Sequence, residues 1–281
     1  AAKIENARLL EESLEKRRLE EDMRVAAEIQ RSMLPKTSPT IEGYDVAAGT
    51  EPCRAVGGDY FDFHVTKDRL TFVLGDVSGK GTGAALIMTI LRAAVRDHWL
   101  DDDLTQALNE MNNLVTQNVP ANKYVTFFLG RLDLATGHLE YVNAGHNAPI
   151  LSRASGAVDR LKTGGMVLGL FEDAVYEKGA TNLDPQDRLV VFTDGFSETW
   201  NSKGDELGEE ALPEVGRDVG ALRIARRLVG RARAGRGEDG ADPVGAGAHD
   251  ARVSVDLVDL YVGNRHRLLL TRAGCPCWPC P

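Results

Sequence analysis

Leu70-Thr71-Phe72-Val73-Leu74-Gly75-Asp76-Val77-Ser78-Gly79-Lys80-Gly81-Thr82-Gly83 passes from an apolar run, through an acidic loop punctuated by glycines, into a second apolar stretch. The run over 70–75 has the length and the β-branched and aromatic content of a strand, and the stretch over 83–99 is long enough for a helix. Its apolar residues cover nearly every side, so the helix is expected to be buried. The loop between them invites comparison with a nucleotide phosphate loop, which needs G-x-x-x-x-G-K followed by Ser or Thr. Here three residues separate Gly75 from Gly79, and Lys80 is followed by Gly81, so the match fails twice. What remains is an acidic residue, Asp76, delivered at the end of a strand.

Two further segments repeat that arrangement. Ala55-Val56-Gly57-Gly58-Asp59-Tyr60-Phe61-Asp62 places Asp59 after a glycine pair that permits a tight turn. Thr193-Asp194-Gly195-Phe196-Ser197-Glu198 places Asp194 after the apolar run Leu189-Val190-Val191-Phe192. Hard divalent cations take oxygen ligands, and a few carboxylates, one of them bridging, can hold a pair that activates water for attack on phosphorus. Each Asp-Gly taken singly is also an ordinary turn signal, and that reading stays open for each.

The rest of the chain frames these segments. Residues 1–34 contain no glycine or proline, mix Glu, Lys and Arg with aliphatic residues, and read as one long helix ended at Pro35. Glu12 with Lys16 and Glu20 with Arg24 are spaced as helix-supporting pairs. A helix of this length cannot bury its own apolar positions, so it pairs with a second copy, packs on the following domain, or serves as a solvated linker. Further strands are expected over 44–49, 125–132, 139–143 and 188–193, with a hairpin loop at Asp133-Leu134-Ala135-Thr136-Gly137. A second helix, striped by Leu104, Leu108, Met111 and Val115, follows the caps Asp102 and Asp103. Clustered strands with separate helices predict an α+β architecture of antiparallel sheets flanked by helices.

Length and composition set limits. At 281 residues, 43% hydrophobic and 27% charged, the chain is expected to fold without disulfide staples. Net charge −9 and a pI near 5.3 argue against nucleic acid as a partner. No run approaches the roughly 18 apolar residues of a membrane span, and no signal-peptide core opens the chain, so no membrane partner and a cytoplasmic location are expected. Three of the four cysteines crowd into Cys275, Cys277 and Cys280, which is no secreted framework. After Lys203 there are eleven arginines and no lysine, with Gly and Ala enriched between Arg231 and Ala248.

Four motifs in order carry a family resemblance: Gly58-Asp59-Tyr60-Phe61-Asp62, Gly75-Asp76-Val77-Ser78-Gly79-Lys80-Gly81, Ala144-Gly145-His146-Asn147-Ala148-Pro149 and Thr193-Asp194-Gly195. They resemble the PPM (protein phosphatase 2C-like) serine/threonine phosphatases, in the bacterial branch typified by the sporulation stage II E phosphatase. Ala27-Glu28-Ile29-Gln30-Arg31-Ser32-Met33-Leu34-Pro35 is similar to the helix that precedes that domain, and the resemblance spans residues 26–210. It implies a four-layer α-β-β-α sandwich over 35–262, preceded by the helix of residues 1–34 and followed by a disordered tail over 263–281.

The resemblance also implies a pair of Mn²⁺ or Mg²⁺ ions, with Asp76 bridging, Asp59 and Asp194 on one ion, and the Val77 carbonyl on the other. A metal-activated water then hydrolyses phosphoserine or phosphothreonine on a regulatory protein such as an anti-sigma-factor antagonist. The helix of residues 1–34 looks like the joint to an upstream sensor and a route to homodimerisation. Relatives finish with an Asp-Asp-x-Thr motif that completes the metal site. It is absent here, and the nearest acid is Asp250, in His249-Asp250-Ala251-Arg252-Val253. That departure keeps a rival in view, a catalytically weak module that binds a phosphorylated partner. Signalling through the N-terminal helix alone is a third reading. His146, Asn143 and Asn147 read as loop stabilisers, Lys80 as an exposed lysine, and Asp62 as a rim residue.

Overall fold

The computed structural model describes residues 2–51, 55–194 and 257–264. A helix, α1 (Ala2–Met33), opens it, as the absence of glycine and proline predicts. Its ion pairs are Arg8 with Glu12, Lys16 with Glu20, and Arg24 with both Glu21 and Glu28, so the basic residues choose other neighbours than the spacing suggested. All are exposed and contribute little. Ile4, Leu10, Leu14 and Leu19 face solvent, whereas Ala27 near the helix end is buried.

Strand β1 (Tyr44–Glu51) follows, then β2 (Tyr60–Val65) and β3 (Arg69–Val77), which form a hairpin in which Tyr60 pairs with Gly75. The chain then enters α2 (Thr82–Asp97) and α3 (Leu104–Asn118). Asp103 caps α3, accepting from the Thr105 backbone N–H at 2.9 Å. The buried face of α2 is made by Ala84, Ile87, Met88, Leu91, Ala94 and Val95, while Leu86 is 68% exposed. The expected all-round burial is thus corrected to one face, because a single sheet lies under the helix and solvent over it. Strands β4 (Val125–Asp133) and β5 (His138–Ala144) are joined by the expected hairpin loop, whose Asp133 carboxylate accepts from the Thr136 N–H at 2.8 Å. Short strands β6 (Ile150–Ser152), β7 (Val158–Arg160), β8 (Gly164–Gly165) and β9 (Gly179–Asn182) lead to β10 (Arg188–Phe192), and β11 (Leu257–Asn264) closes the fold.

The first sheet has the order β1-β11-β10-β6-β7 and the second β2-β3-β4-β5-β8, with β9 also on β5. All pairs are antiparallel except β5 with β8, a two-residue parallel exception to the antiparallel expectation. Side chains alternate across the second sheet as the strand period requires. Phe61, Leu70, Phe72, Leu74 and Phe128 point between the sheets to meet Leu151, Leu189 and Val191. Tyr60, Val73, Val77, Phe127 and Leu129 point the other way, under Met88, Leu91, Leu108 and Met111 of the helices. Gly130 stands opposite Phe72 across β3 and β4, and a side chain there would collide with the ring. Among the described residues the layers are therefore helix, sheet, sheet. β11 runs to Asn264, so two residues of the expected tail belong to a strand.

Candidate active site

The acidic loop motifs converge at one end of the sandwich. Tyr60 pairs with Gly75, so one further step of the antiparallel register sets Asp59 opposite Asp76. Both then share a face with Phe61 and Leu74, the face directed between the sheets. Directly opposed residues have Cα atoms about 4.5–5.5 Å apart, and like charges so placed destabilise a sheet. Asp59 is also only 7% exposed. Carboxylates at neighbouring strand ends, one of them buried, are oxygen donors of the kind a hard cation takes.

Val77 ends β3 beside Asp76 and is buried. Gly58 packs so closely on it that an added Cβ would stand 2.8 Å from the Val77 carbonyl oxygen and 3.2 Å from Ala84 Cβ. Only glycine lets the Asp59 loop approach the end of β3 this far. The following loop uses positive φ at Gly79 and Gly81 and is tied down from the segment just before β4, with the Ser78 N–H donating to the Tyr124 carbonyl at 2.9 Å and Lys123 Nζ to the Ser78 carbonyl at 3.1 Å. Lys80 is exposed, as expected.

Asp194 lies two residues beyond β10 and is exposed. A buried histidine connects its strand with that of Asp76. Thr126 pairs with Asp76, Thr126 Oγ1 shares a 2.9 Å hydrogen bond with His146 Nδ1, and the imidazole lies against the Phe192 backbone. Burial holds the His146 pKa down at about 4, opposed in part by the Phe192 backbone, so the ring is neutral at pH 7. Asn143, buried, donates to the Leu161 carbonyl at 3.0 Å and accepts from the His146 N–H at 2.7 Å, which places His146 and bears out the loop-stabilising reading of Asn143.

Asp62 is no rim residue. It is 2% exposed, bonds Arg96 Nη2 at 3.0 Å and accepts from the Tyr60 hydroxyl at 3.1 Å. An odd offset of three from Asp59 turns it to the opposite, helix-covered face. Asp250 lies outside the described residues. Phe192 pairs with Asp259, so Leu257, the first residue of β11 and the partner of Glu51, lies two residues before the partner of Phe192. The acid adjacent to that strand in sequence is Asp256, six positions nearer to Leu257 than Asp250 is.

Ligand atoms of Asp59, Asp76 and Asp194 do not fall within one 4.8 Å group; among the described residues that holds for His98, Asp101 and Glu110. The latter trio is an imidazole–carboxylate pair, His98 Nδ1 to Asp101 Oδ2 at 2.6 Å, with an exposed Glu110 nearby. For the aspartates, the outer ligands of two ions about 3.5–4 Å apart have no need to touch. Gln30, Lys123 and Thr126 were missed by motif reading, since each acts through contacts distant in sequence; only Gln30 lay in a quoted motif.

A family model described as stage II sporulation protein E (SpoIIE) matches residues 66–243. The phosphoserine phosphatase RsbU of Bacillus subtilis is 29% identical over 189 residues, covering 66% of this chain and 56% of RsbU. Across the curated relatives it matches, the chain spans between 34% and 56% of their length. Among solved structures, the SiaA-PP2C domain of Pseudomonas aeruginosa has a TM-score of 0.68 at 20% identity, covering 88% of this chain and 97% of that one. The catalytic domain of the serine/threonine phosphatase PstP, in complex with two manganese ions, has a TM-score of 0.53 at 14% identity, covering 79% of this chain and 99% of that one. These structures share the fold.

Proposed function

The chain belongs to the SpoIIE family, and on that footing we propose that it is a metal-dependent phosphoprotein phosphatase acting on phosphoserine or phosphothreonine of a regulatory protein. The observation that carries this reading is the register that opposes Asp59 and Asp76 at the end of the sandwich. RsbU is named a phosphoserine phosphatase, and PstP holds two manganese ions, which supports the same chemistry and a pair of Mn²⁺ or Mg²⁺ ions here.

In this reading Asp59, Asp76 and Asp194 supply carboxylate oxygens and Val77 its backbone carbonyl. When bound, such ions activate water and neutralise charge on the phosphoryl group. The residues of the chain do the positioning. The hairpin of β2 and β3 fixes Asp59 against Asp76, Gly58 brings the Val77 carbonyl close, and the neutral His146 links the strands of Asp76 and Asp194 without adding charge. A fourth acid from the segment before Leu257 completes the set, with Asp256 and Asp250 the two candidates. An anti-sigma-factor antagonist is the class of substrate this branch suggests. Homodimerisation through α1 belongs to the same reading, supported by exposed Ile4, Leu10, Leu14 and Leu19. Among the described residues no helix is long and apolar enough to cross a membrane.

The test is hydrolysis of p-nitrophenyl phosphate and of a phosphoserine protein with Mn²⁺, with EDTA, and with Asp76→Asn. Turnover should vanish in EDTA and fall at least about 100-fold in the variant, the scale of losing one preorganised electrostatic group. Of Asp250→Ala and Asp256→Ala, the one that weakens Mn²⁺ dependence identifies the fourth acid. A folded wild type that binds Mn²⁺ and the phosphoprotein without turnover would refute the enzyme reading in favour of a binding module.

A further inference from the structure

The end of α1 grips the loop that carries Asp59. Gln30 Nε2 donates to the Gly57 carbonyl at 2.7 Å, and the Gly57 N–H donates to Gln30 Oε1 at 3.0 Å. One side-chain amide therefore satisfies both backbone groups of a residue two positions before Asp59, as a neighbouring strand would. On its other side the same loop meets the end of β3, where Gly58 abuts the Val77 carbonyl and Ala84. The loop is thus held between α1 and the strand end that bears Asp76 and Val77.

Gln30 is itself held. Its Nε2 lies 3.7 Å from Met88 Sδ on α2, Ala27 one turn earlier is buried, and Arg92 Nε donates to the Met33 carbonyl at 2.8 Å. Behind the loop is a cavity of about 100 Å³, lined by Gln30, Leu34, Thr50, Gly57 and Asp59 among others. Without the amide the loop has space into which to relax. Ile4, Leu10, Leu14 and Leu19 toward the far end of α1, by contrast, are exposed among the described residues.

We propose that Gln30 is a positioning residue for the metal end of the sandwich, fixing the Gly57-Gly58-Asp59 loop and thereby the affinity for the divalent ions. The proposal rests on the phosphatase reading for the identity of those ions. Partners that orient metal ligands from outside the coordination shell characteristically change affinity about 10- to 100-fold when removed.

The experiment compares the full chain with Gln30→Ala and Gln30→Met, the latter keeping the packing on Met88 while removing both hydrogen bonds. Mn²⁺ binding is read by calorimetry, turnover of p-nitrophenyl phosphate against Mn²⁺ concentration, and melting temperature in EDTA. Both variants should bind Mn²⁺ at least about ten-fold more weakly, while kcat at saturating Mn²⁺ stays within about two-fold, since no group in contact with the phosphoryl centre is changed. Leu151→Val, a buried change remote from the loop, should lower the melting temperature and leave the Mn²⁺ midpoint in place. Wild-type affinity in Gln30→Met, or an equal loss of affinity in Leu151→Val, would overturn the proposal. A wild type that binds Mn²⁺ without turnover sinks only the phosphatase reading, because calorimetry still decides the role of Gln30.

Discussion

Asp59 and Asp62 lie three residues apart and face opposite sides of one strand. Asp62 is compensated within the fold by Arg96 and Tyr60 on the helix-covered face, whereas Asp59 belongs to the face directed between the sheets. Their substitutions should therefore separate. Asp59→Asn should abolish the stabilisation that Mn²⁺ confers, by removing a ligand carboxylate. Asp62→Ala should cost roughly 1–3 kcal/mol, by stranding a buried hydroxyl and weakening the hold on Arg96, while Mn²⁺ affinity is kept. Thermal melts with and without Mn²⁺ check both. His146 gives a pH dependence. Its folded pKa of about 4 lies below the ordinary value of 6.5, so the unfolded state takes the proton first as pH falls. Stability should drop between pH 6.5 and about 4 with a slope of up to about 1.4 kcal/mol per pH unit from this group, and His146→Gln should flatten that window in urea titrations.

Among the elements, α1 and the β3–α2 connection were legible for different reasons. The helix declared itself by what it lacks, glycine and proline, and the connection by the change from an apolar run to glycines with an acid between them. Strand β2 was not foreseen. Its sequence Tyr60-Phe61-Asp62-Phe63-His64-Val65 puts a charge where alternation asks for an apolar residue, and Arg96, on a helix far along the chain, helps make that charge tolerable. The strands of two to four residues, β6 to β9, are too short for any period to show. The exposed apolar positions of α1 carry a prediction at this scale. The full chain should sediment as a dimer, and removal of residues 1–20 should give a monomer that retains metal-dependent turnover, because Ala27, Gln30 and Met33 remain. A monomeric full chain would refute this.

In the whole molecule the last strand decides most. β11 lies between β1 and β10, pairing eight residues with one and five with the other. Deleting residues 251–281 should therefore split the first sheet, expose two unpaired edges and abolish cooperative urea unfolding monitored by circular dichroism; a truncated chain that unfolds in one sharp transition would count against this topology. The central place of β11 was not readable, because its partners on β1 lie some 210 residues away in the chain and leave no local trace. The same division runs through the site. By itself the sequence determined the fold class, the family and the three acids at strand ends, because apolar period, Gly-Asp spacing and helix breakers act over a few residues. Tertiary structure alone decided which acids meet. Register opposed Asp59 to Asp76 and turned Asp62 away, packing neutralised His146, and the docking of α1 joined Gln30 to Gly57. Each depends on which segments lie side by side, a property of the folded chain that local spacing does not encode.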